Sequence, residues 1–228
     1  ICPSETADFM MRIFNADGSE GKMCGNGSRC VGKYAYDRGL TDKTEITLET
    51  LSGTKKLQLN IKNGVVRSVR VDMGEPIIHA ADIPVLSETS EFINQPVTVD
   101  DSTYLVTCVS MGNPHAVIFV DDVDSLRLFS IGPPLENHPI FPERANIEFV
   151  RRVDEKTLQM RVWERGSGET LACGTGACAA LVTSVLNKKC HRRARVILPG
   201  GELDIDWNDI NNHVYLTGPA EFVFDGEI

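Results

Sequence analysis

The chain has 228 residues, 42% hydrophobic and 24% charged, with a formal net charge of −9. That composition suits one or two domains able to bury a proper core, and the acid excess argues against nucleic acid as a partner. No apolar run approaches the roughly 20 residues of a membrane-spanning helix, and seven cysteines without a C-x-x-C pair argue against a secreted disulfide framework and for a reducing compartment.

From the N-terminus, Met11-Arg12-Ile13-Phe14 leads through Glu20 to Cys24-Gly25-Asn26-Gly27, and Cys30-Val31-Gly32-Lys33-Tyr34-Ala35-Tyr36 runs on until Gly39. This predicts a helix that starts at the C-G-x-G loop and stops at Gly39. Asp17 and Glu20 read as turn and helix-start residues. Strand-like alternation follows at Ile46-Thr47-Leu48, at Leu57 to Ile61 before an Asn63-Gly64 turn, and at Val69 to Met73 before Gly74. More strand-like text lies at Tyr104 to Thr107, Ala116 to Val120 and Asn146 to Val150.

Then the first pattern returns. Met160-Arg161-Val162-Trp163 leads through Glu169 to Cys173-Gly174-Thr175-Gly176, and Ala177 to Leu186 predicts a helix apolar nearly all round, hence fully buried. The basic run Lys188 to Arg193 complements the dipole at that helix's C-terminus. Strands follow at Arg195 to Leu198, at Leu203 to Trp207 after Gly200-Gly201, and at Val214 to Leu216 before Gly218. Period-two alternation punctuated by Asn-Gly and Gly-Gly reads as antiparallel hairpins.

The two passages stand 149 positions apart, a spacing of 147 at Gly53/Gly200 and 144 at Gly74/Gly218. The expected fold is therefore α+β, with two pseudo-symmetric homologous halves, each a curved, mostly antiparallel sheet around a central helix. The boundary falls at 73/74: residues 1–73 form the first half, with 218–228 a candidate to complete it, and 74–217 the second, with an active-site cleft between them. The second copy has strand-like text before Arg161 for which the first has no equivalent before Arg12, so a further N-terminal segment is expected ahead of Ile1.

Each copy presents a cysteine followed by glycines at a helix start. Glycines let successive N–H groups point outward as an anion-binding nest suited to a substrate carboxylate. The positive helix end favours the thiolate and lowers a thiol by roughly a unit from about 8.5. Two such thiols, related by approximate two-fold symmetry, suit a racemase: one removes a proton from one side of a carbon and the other returns it from the opposite side. Cys24 and Cys173 are the candidate pair; Cys30 and Cys178 should simply pack inside their helices. The spacings Cys24/Cys30 and Cys173/Cys178 lack a neighbouring histidine and are wide for structural zinc, so no metal site is expected.

The stretches Asn15 to Glu20 leading into Met23-Cys24-Gly25-Asn26-Gly27, Gly112-Asn113-Pro114-His115, Glu164-Arg165-Gly166 and Ala172-Cys173-Gly174-Thr175-Gly176 resemble the diaminopimelate epimerase family over nearly the whole chain. The resemblance implies interconversion of LL- and meso-diaminopimelate, for lysine and peptidoglycan precursor supply, with no cofactor and no metal. It implies Cys24 and Cys173 as acid and base, with Gly25, Asn26, Gly174 and Thr175 shaping their loops and binding substrate there. Asn15, Asn113, Asn146 and Arg165, with Glu164, form the polar set that grips substrate, and His115 and Glu164 adjust the thiols' protonation. It implies a cytoplasmic setting (a plastid in a plant) and leaves a homodimer open.

Each residue also has a plainer reading. Asn15 can cap a turn, Asn113 can sit before Pro114 for structural reasons, Arg165 can pair with Glu164 on the surface, and His115 can be a satisfied core histidine. Rival functions are a proline racemase-like enzyme, which would carry a histidine at Asn26, a racemase of another amino acid such as histidine, a binding module whose loops only hold an anion, and an inactive truncated form.

Overall fold

In a computed structural model the described residues are 1–14, 18 and 20–226. They fall into two compact units, Ile1–Asp72 with Leu216–Ile228, and Met73–Tyr215.

The first unit contains β1 (Phe9–Met10), β2 (Ile13–Phe14), β3 (Glu20–Gly21), α1 (Gly25–Asp37), β4 (Glu45–Glu49), β5 (Lys55–Lys62) and β6 (Val65–Gly74). Its main sheet runs β1-β4-β5-β6, with the late strand Val214–Gly218 beside β6. β1 joins β4 in parallel, and β4, β5 and β6 are antiparallel. Alternation does what it predicts: Ile46, Leu48, Leu57, Leu59, Val69 and Val71 are buried, while their sequence neighbours face outward or sit half-buried. Asn63 (φ 56°) and Gly64 (φ 74°) turn the β5–β6 hairpin with positive φ at both positions, the twist that matches paired strands. α1 lies close on this sheet: a Cβ on Gly32 would stand 3.0 Å from Leu59 Cδ2. Cys30, expected to pack, is exposed on α1, because it falls on the side of the helix turned away from Val31 and Ala35, which are buried.

The second unit contains a 3₁₀ turn at Ala80–Asp82, then β7 (Gln95–Val99), β8 (Ser102–Ser110), β9 (Pro114–Phe119), α2 (Leu128–Glu136), β10 (Asn146–Asp154), β11 (Thr157–Glu164), β12 (Gly168–Thr170), α3 (Gly174–Leu186), β13 (Arg193–Leu198) and β14 (Gly201–Trp207). Its strands are ordered β14-β13-β11-β10-β9-β8-β7, with β12 also on β11. The hairpins β7–β8–β9, β10–β11–β12 and β13–β14 are antiparallel. Two inner pairings, β9 with β10 and β11 with β13, are parallel. A parallel neighbour needs a crossover, and α2 and α3 lie on those two connections. The fold is α+β and mostly antiparallel, with these two parallel joints and the parallel β1–β4 pairing as the departures from simple hairpins.

The buried central helix of this unit is α3. Gly174 and Gly176 to Ser184 are all buried, and its two buried hydroxyls turn inward to the backbone: Thr183 Oγ1 donates to the Ala179 carbonyl at 2.8 Å and Ser184 Oγ to that of Ala180 at 2.6 Å. A polar group without water is thereby satisfied.

Both central helices end alike. After α1, Gly39 N–H donates to Tyr36 O and Leu40 N–H to Ala35 O; after α3, Lys188 N–H donates to Val185 O and Lys189 N–H to Ser184 O. This is the Schellman arrangement, which needs a left-handed residue. Glycine fills it in the first copy (Gly39, φ 72°) but lysine in the second (Lys188, φ 56°). Lys188→Gly is therefore expected to raise unfolding free energy by about 0.5–1 kcal/mol, the left-handed penalty less the extra chain entropy of glycine. Urea unfolding measures it, and a loss of stability would show that the lysine is unstrained there.

Candidate active site

The two repeated passages fold the same way. In the first unit Ile13 pairs with Gly21 and Phe14 with Glu20 across β2–β3. In the second, Val162 pairs with Thr170 and Trp163 with Glu169 across β11–β12, the same register one repeat later. The repeated Arg and Glu form an ion pair in each copy. Arg12 Nε and Nη2 reach Glu20 at 2.8 and 3.0 Å, and Arg161 meets Glu169 at 2.8 and 2.7 Å. Glu20 is thus a strand residue with an arginine partner and not a helix-start residue; Arg12 beside it holds its carboxyl below the usual range.

Four residues beyond each glutamate, a cysteine occupies the N-cap of a central helix. Cys24 (φ −142°, ψ 114°) accepts on Sγ the Gly27 N–H at 3.3 Å. Cys173 (φ −122°, ψ 112°) accepts that of Gly176 at 3.4 Å. A helix start leaves four amide donors without intrahelical partners, and a side-chain acceptor at the cap normally takes one; here sulfur fills the place of the usual oxygen. Each thiol is thereby fixed at the positive end of a helix.

Around Cys24, Gly25 is buried and Asn26 half-buried in the first turn of α1. Arg29, largely buried, donates to the carbonyls of Gly25 at 3.2 Å and Pro219 at 3.0 Å, which ties this helix start to the returning end of the chain. Asn15 lies outside the described residues.

The second unit holds Cys173 and most of the remaining candidates. Gly174 is buried and Thr175 Oγ1 lies 3.5 Å from Cys173 Sγ. His115 is fully buried, with Nε2 at 3.0 Å from Asn113 Oδ1 and Nδ1 at 2.6 Å from Glu148 Oε1. Asn146, opposite His115 in the β9–β10 register, donates to the Pro114 carbonyl at 3.0 Å and accepts the Arg165 N–H at 2.9 Å. The Arg165 guanidinium donates to the Glu143 carbonyl at 2.9 Å rather than pairing with Glu164, whose carboxylate accepts from the Thr170 hydroxyl. Glu136 fastens this segment from behind: its carboxylate takes the Gly166 N–H at 2.9 Å, the Trp163 indole N–H at 2.8 Å and Arg144 at 3.2 Å.

Glu136 and Glu148 are absent from the sequence candidates. Glu148 carried a signal, a lone carboxylate between apolar residues in Ile147-Glu148-Phe149, a position where a charged residue is buried only when partnered; Glu136, followed by Asn137 and His138, carried none.

Electrostatics at Cys173 reverse the simple helix-dipole expectation. Burial pushes its thiol well above the ordinary range, the Glu164 and Glu148 carboxyls add to this, and the Thr175 hydroxyl and Gly176 amide oppose it only weakly. Burial also lifts the Cys108 thiol well up. The sign for stability is fixed: above about pH 8.5 the unfolded thiols ionise while these two stay protonated, so the unfolded state binds fewer protons and stability falls as pH rises. Each thiol is expected to contribute up to about 1.4 kcal/mol of loss per pH unit above that point. Urea midpoints from pH 8 to 10 should decline, and Cys108→Ala should shallow the slope; an unchanged slope would mean that Cys108 is not a buried thiol.

No helix among the described residues is long and apolar enough to cross a membrane, and no group of three or more His, Cys, Asp or Glu side chains among them could hold a metal ion.

A duplicated α+β unit with one N-cap cysteine per copy is the arrangement that a racemase or epimerase working with two thiols requires. Solved structures agree on the fold. A hydroxyproline epimerase from Agrobacterium vitis superposes with a TM-score of 0.70 at 16% identity, over 95% of this chain and 69% of that one. A probable proline racemase from Agrobacterium radiobacter K84 gives 0.68 at 16% identity, over 95% and 72%. Residues 1–79 and 107–223 match the family model described as diaminopimelate epimerase. The diaminopimelate epimerase of Acetivibrio thermocellus is 59% identical over all of this chain and 81% of its own length, and that of Methanococcus maripaludis strain S2 is 57% identical over all of this chain and 82% of its own. The chain belongs to the diaminopimelate epimerase family.

Proposed function

We propose that the protein interconverts LL- and meso-diaminopimelate by two-base proton transfer at the α-carbon, a step that supplies lysine and peptidoglycan precursors. The observation that carries this reading is the pair of N-cap cysteines, each with Sγ fixed by a helix amide, in a chain of this family. One thiolate takes the α-proton and becomes a thiol, leaving the electron pair delocalised into the substrate carboxylate. The other thiol gives its proton to the opposite face and becomes the thiolate. Burial favours the protonated form of Cys173, which suits it to act as the acid while its counterpart acts as the base, the two roles exchanging with the direction of reaction.

The remaining roles follow the chemistry of each group. Gly25, Asn26, Gly174 and Thr175 shape the two anion-accepting loops; Asn15, Asn113, Asn146, Glu164 and Arg165 grip substrate, the guanidinium suiting a distal carboxylate. His115 and Glu164 set the protonation of the thiols. The enzyme is read as cytoplasmic and as a candidate homodimer.

The test is LL-diaminopimelate in D2O under reducing conditions, followed at the α-carbon by NMR. Deuterium should enter alongside meso product. A cooperatively melting sample that exchanges no proton would overturn the proposal.

A further inference from the structure

Glu148 is the most deeply enclosed carboxyl of the second unit, at 0% exposure. It reaches His115 Nδ1 with Oε1 at 2.6 Å, and its Oε2 is buried with no hydrogen-bond partner among the described residues. It also stands directly behind the catalytic loop: a Cβ on Gly176 would lie 2.8 Å from Glu148 Oε1 and 3.3 Å from Cys173 Sγ. The carboxyl and the thiol therefore crowd the same point at the start of α3, and only glycine leaves room there.

The proton inventory of the His115–Glu148 contact follows from its neighbours. The Asn113 side-chain oxygen is an acceptor, so the His115 Nε2 facing it at 3.0 Å must carry a hydrogen. Nδ1 then either accepts a proton from a neutral Glu148 or shares an imidazolium–carboxylate pair with it. An ion pair here would put two charges in a site that is fully buried at both residues and leave an anionic Oε2 unsatisfied. A neutral acid leaves only a carbonyl oxygen there. The other ionisable groups felt across this contact are Glu164 on β11, Cys173 on α3 and Cys108 on β8, none of which supplies a positive charge. Burial and Glu164 both lift the Glu148 carboxyl, against the pull of His115.

We infer that Glu148 is a positioning residue held as a neutral carboxylic acid, donating from Oε1 to His115 Nδ1, which locks His115 as the Nε2–H tautomer aimed at Asn113 and keeps a second negative charge away from the Cys173 thiol. Two demands are met at once. His115 presents a fixed donor to the Asn113 amide, and Cys173 can become a thiolate with only Glu164 opposing it as an anion. The inference deepens the proposed function and rests on it only for its effect on turnover.

The deciding measurement is independent of turnover: the imidazole 15N shifts of His115 at pH 7.5 in selectively labelled protein, assigned with His115→Gln. A neutral ring with the hydrogen on Nε2 is expected. An imidazolium, or a neutral ring with the hydrogen on Nδ1, would overturn the inference, because in either case Nδ1 carries a hydrogen and cannot accept one from Glu148. Variants then separate positioning from bulk packing. Glu148→Leu, of similar volume, should slow α-carbon exchange about 30-fold or more, within the 10²–10⁴ range of acid–base positioning, in a sample whose melting is still cooperative. Glu148→Gln, which can donate to Nδ1 as the neutral acid does, should recover at least tenfold of that loss and keep the 15N signature. A Gln variant as slow as the Leu variant would show that the charge, and not the donated hydrogen, matters. If wild-type protein shows the expected tautomer but no exchange with diaminopimelate, the substrate assignment fails and the inference about Glu148 stands.

Discussion

Cys24→Ala and Cys173→Ala are each expected to abolish epimerisation, with kcat falling by about 10²–10⁴ or more, the range for losing a positioned acid or base. The two failures should differ in kind. With a single thiol left, a proton can still leave and return on one face, so deuterium should exchange slowly into one stereoisomer without inversion. The isomer that exchanges should switch between the two variants. Both variants should fold, since alanine only removes one cap acceptor, a loss of about 1 kcal/mol by analogy with ordinary N-caps. The measurement is α-carbon deuteration of each purified stereoisomer by NMR, and substantial inversion by either variant would refute the two-base mechanism.

The second large effect is on stability, and its sign runs against local propensity. Gly132 sits within α2, where Gly→Ala usually stabilises a helix by about 1 kcal/mol. Here a Cβ at Gly132 would fall 2.4 Å from Trp163 Cδ2 and 2.5 Å from Cγ, inside any contact a real atom tolerates. The ring cannot retreat: its N–H is bonded to Glu136, Phe129 meets it edge-on at 5.4 Å, and Gly168 lies against its far edge. Gly132→Ala is therefore expected to destabilise by about 3 kcal/mol, the upper end of overpacking costs, with ultraviolet-excited tryptophan fluorescence reporting the displaced indole. Because Trp163 directly precedes Glu164 and Arg165, exchange activity should fall with it. A stabilised variant would mean that the indole moves freely.

Local rules made much of this legible in advance. The C-G-x-G passages gave both central helices and their cysteine caps, and alternation gave the strands from β4 to β6 and from β13 to β14, because propensity, turn chemistry and burial agree there. α2 was hidden by Ile131-Gly132-Pro133-Pro134, a run that reads as a breaker. It is helical because Leu128 and Leu135 are buried and Glu136 has three partners, so tertiary packing overrides propensity. The parallel pairings of β9 with β10 and β11 with β13 were equally hidden, since period-two alternation says which face is buried and not which direction a neighbour runs. Among site residues, His115 does join Asn113, Cys173 joins Thr175, and Asn146 ties Pro114 to Arg165. Arg165 turned out to be docked on a carbonyl, a contact no side-chain pattern encodes.

The two Arg–Glu pairs have a consequence for the order in which the chain assembles. Each joins residues only eight positions apart, Arg12 to Glu20 and Arg161 to Glu169, and each closes the segment immediately upstream of a cysteine. A ring of that size closes in roughly 10–100 ns, long before distant strands can find one another. Contacts this local carry almost none of the entropy penalty that slows non-local pairing. Each half thus holds its own local clasp, and the contact upstream of each thiol closes within its own copy of the repeat.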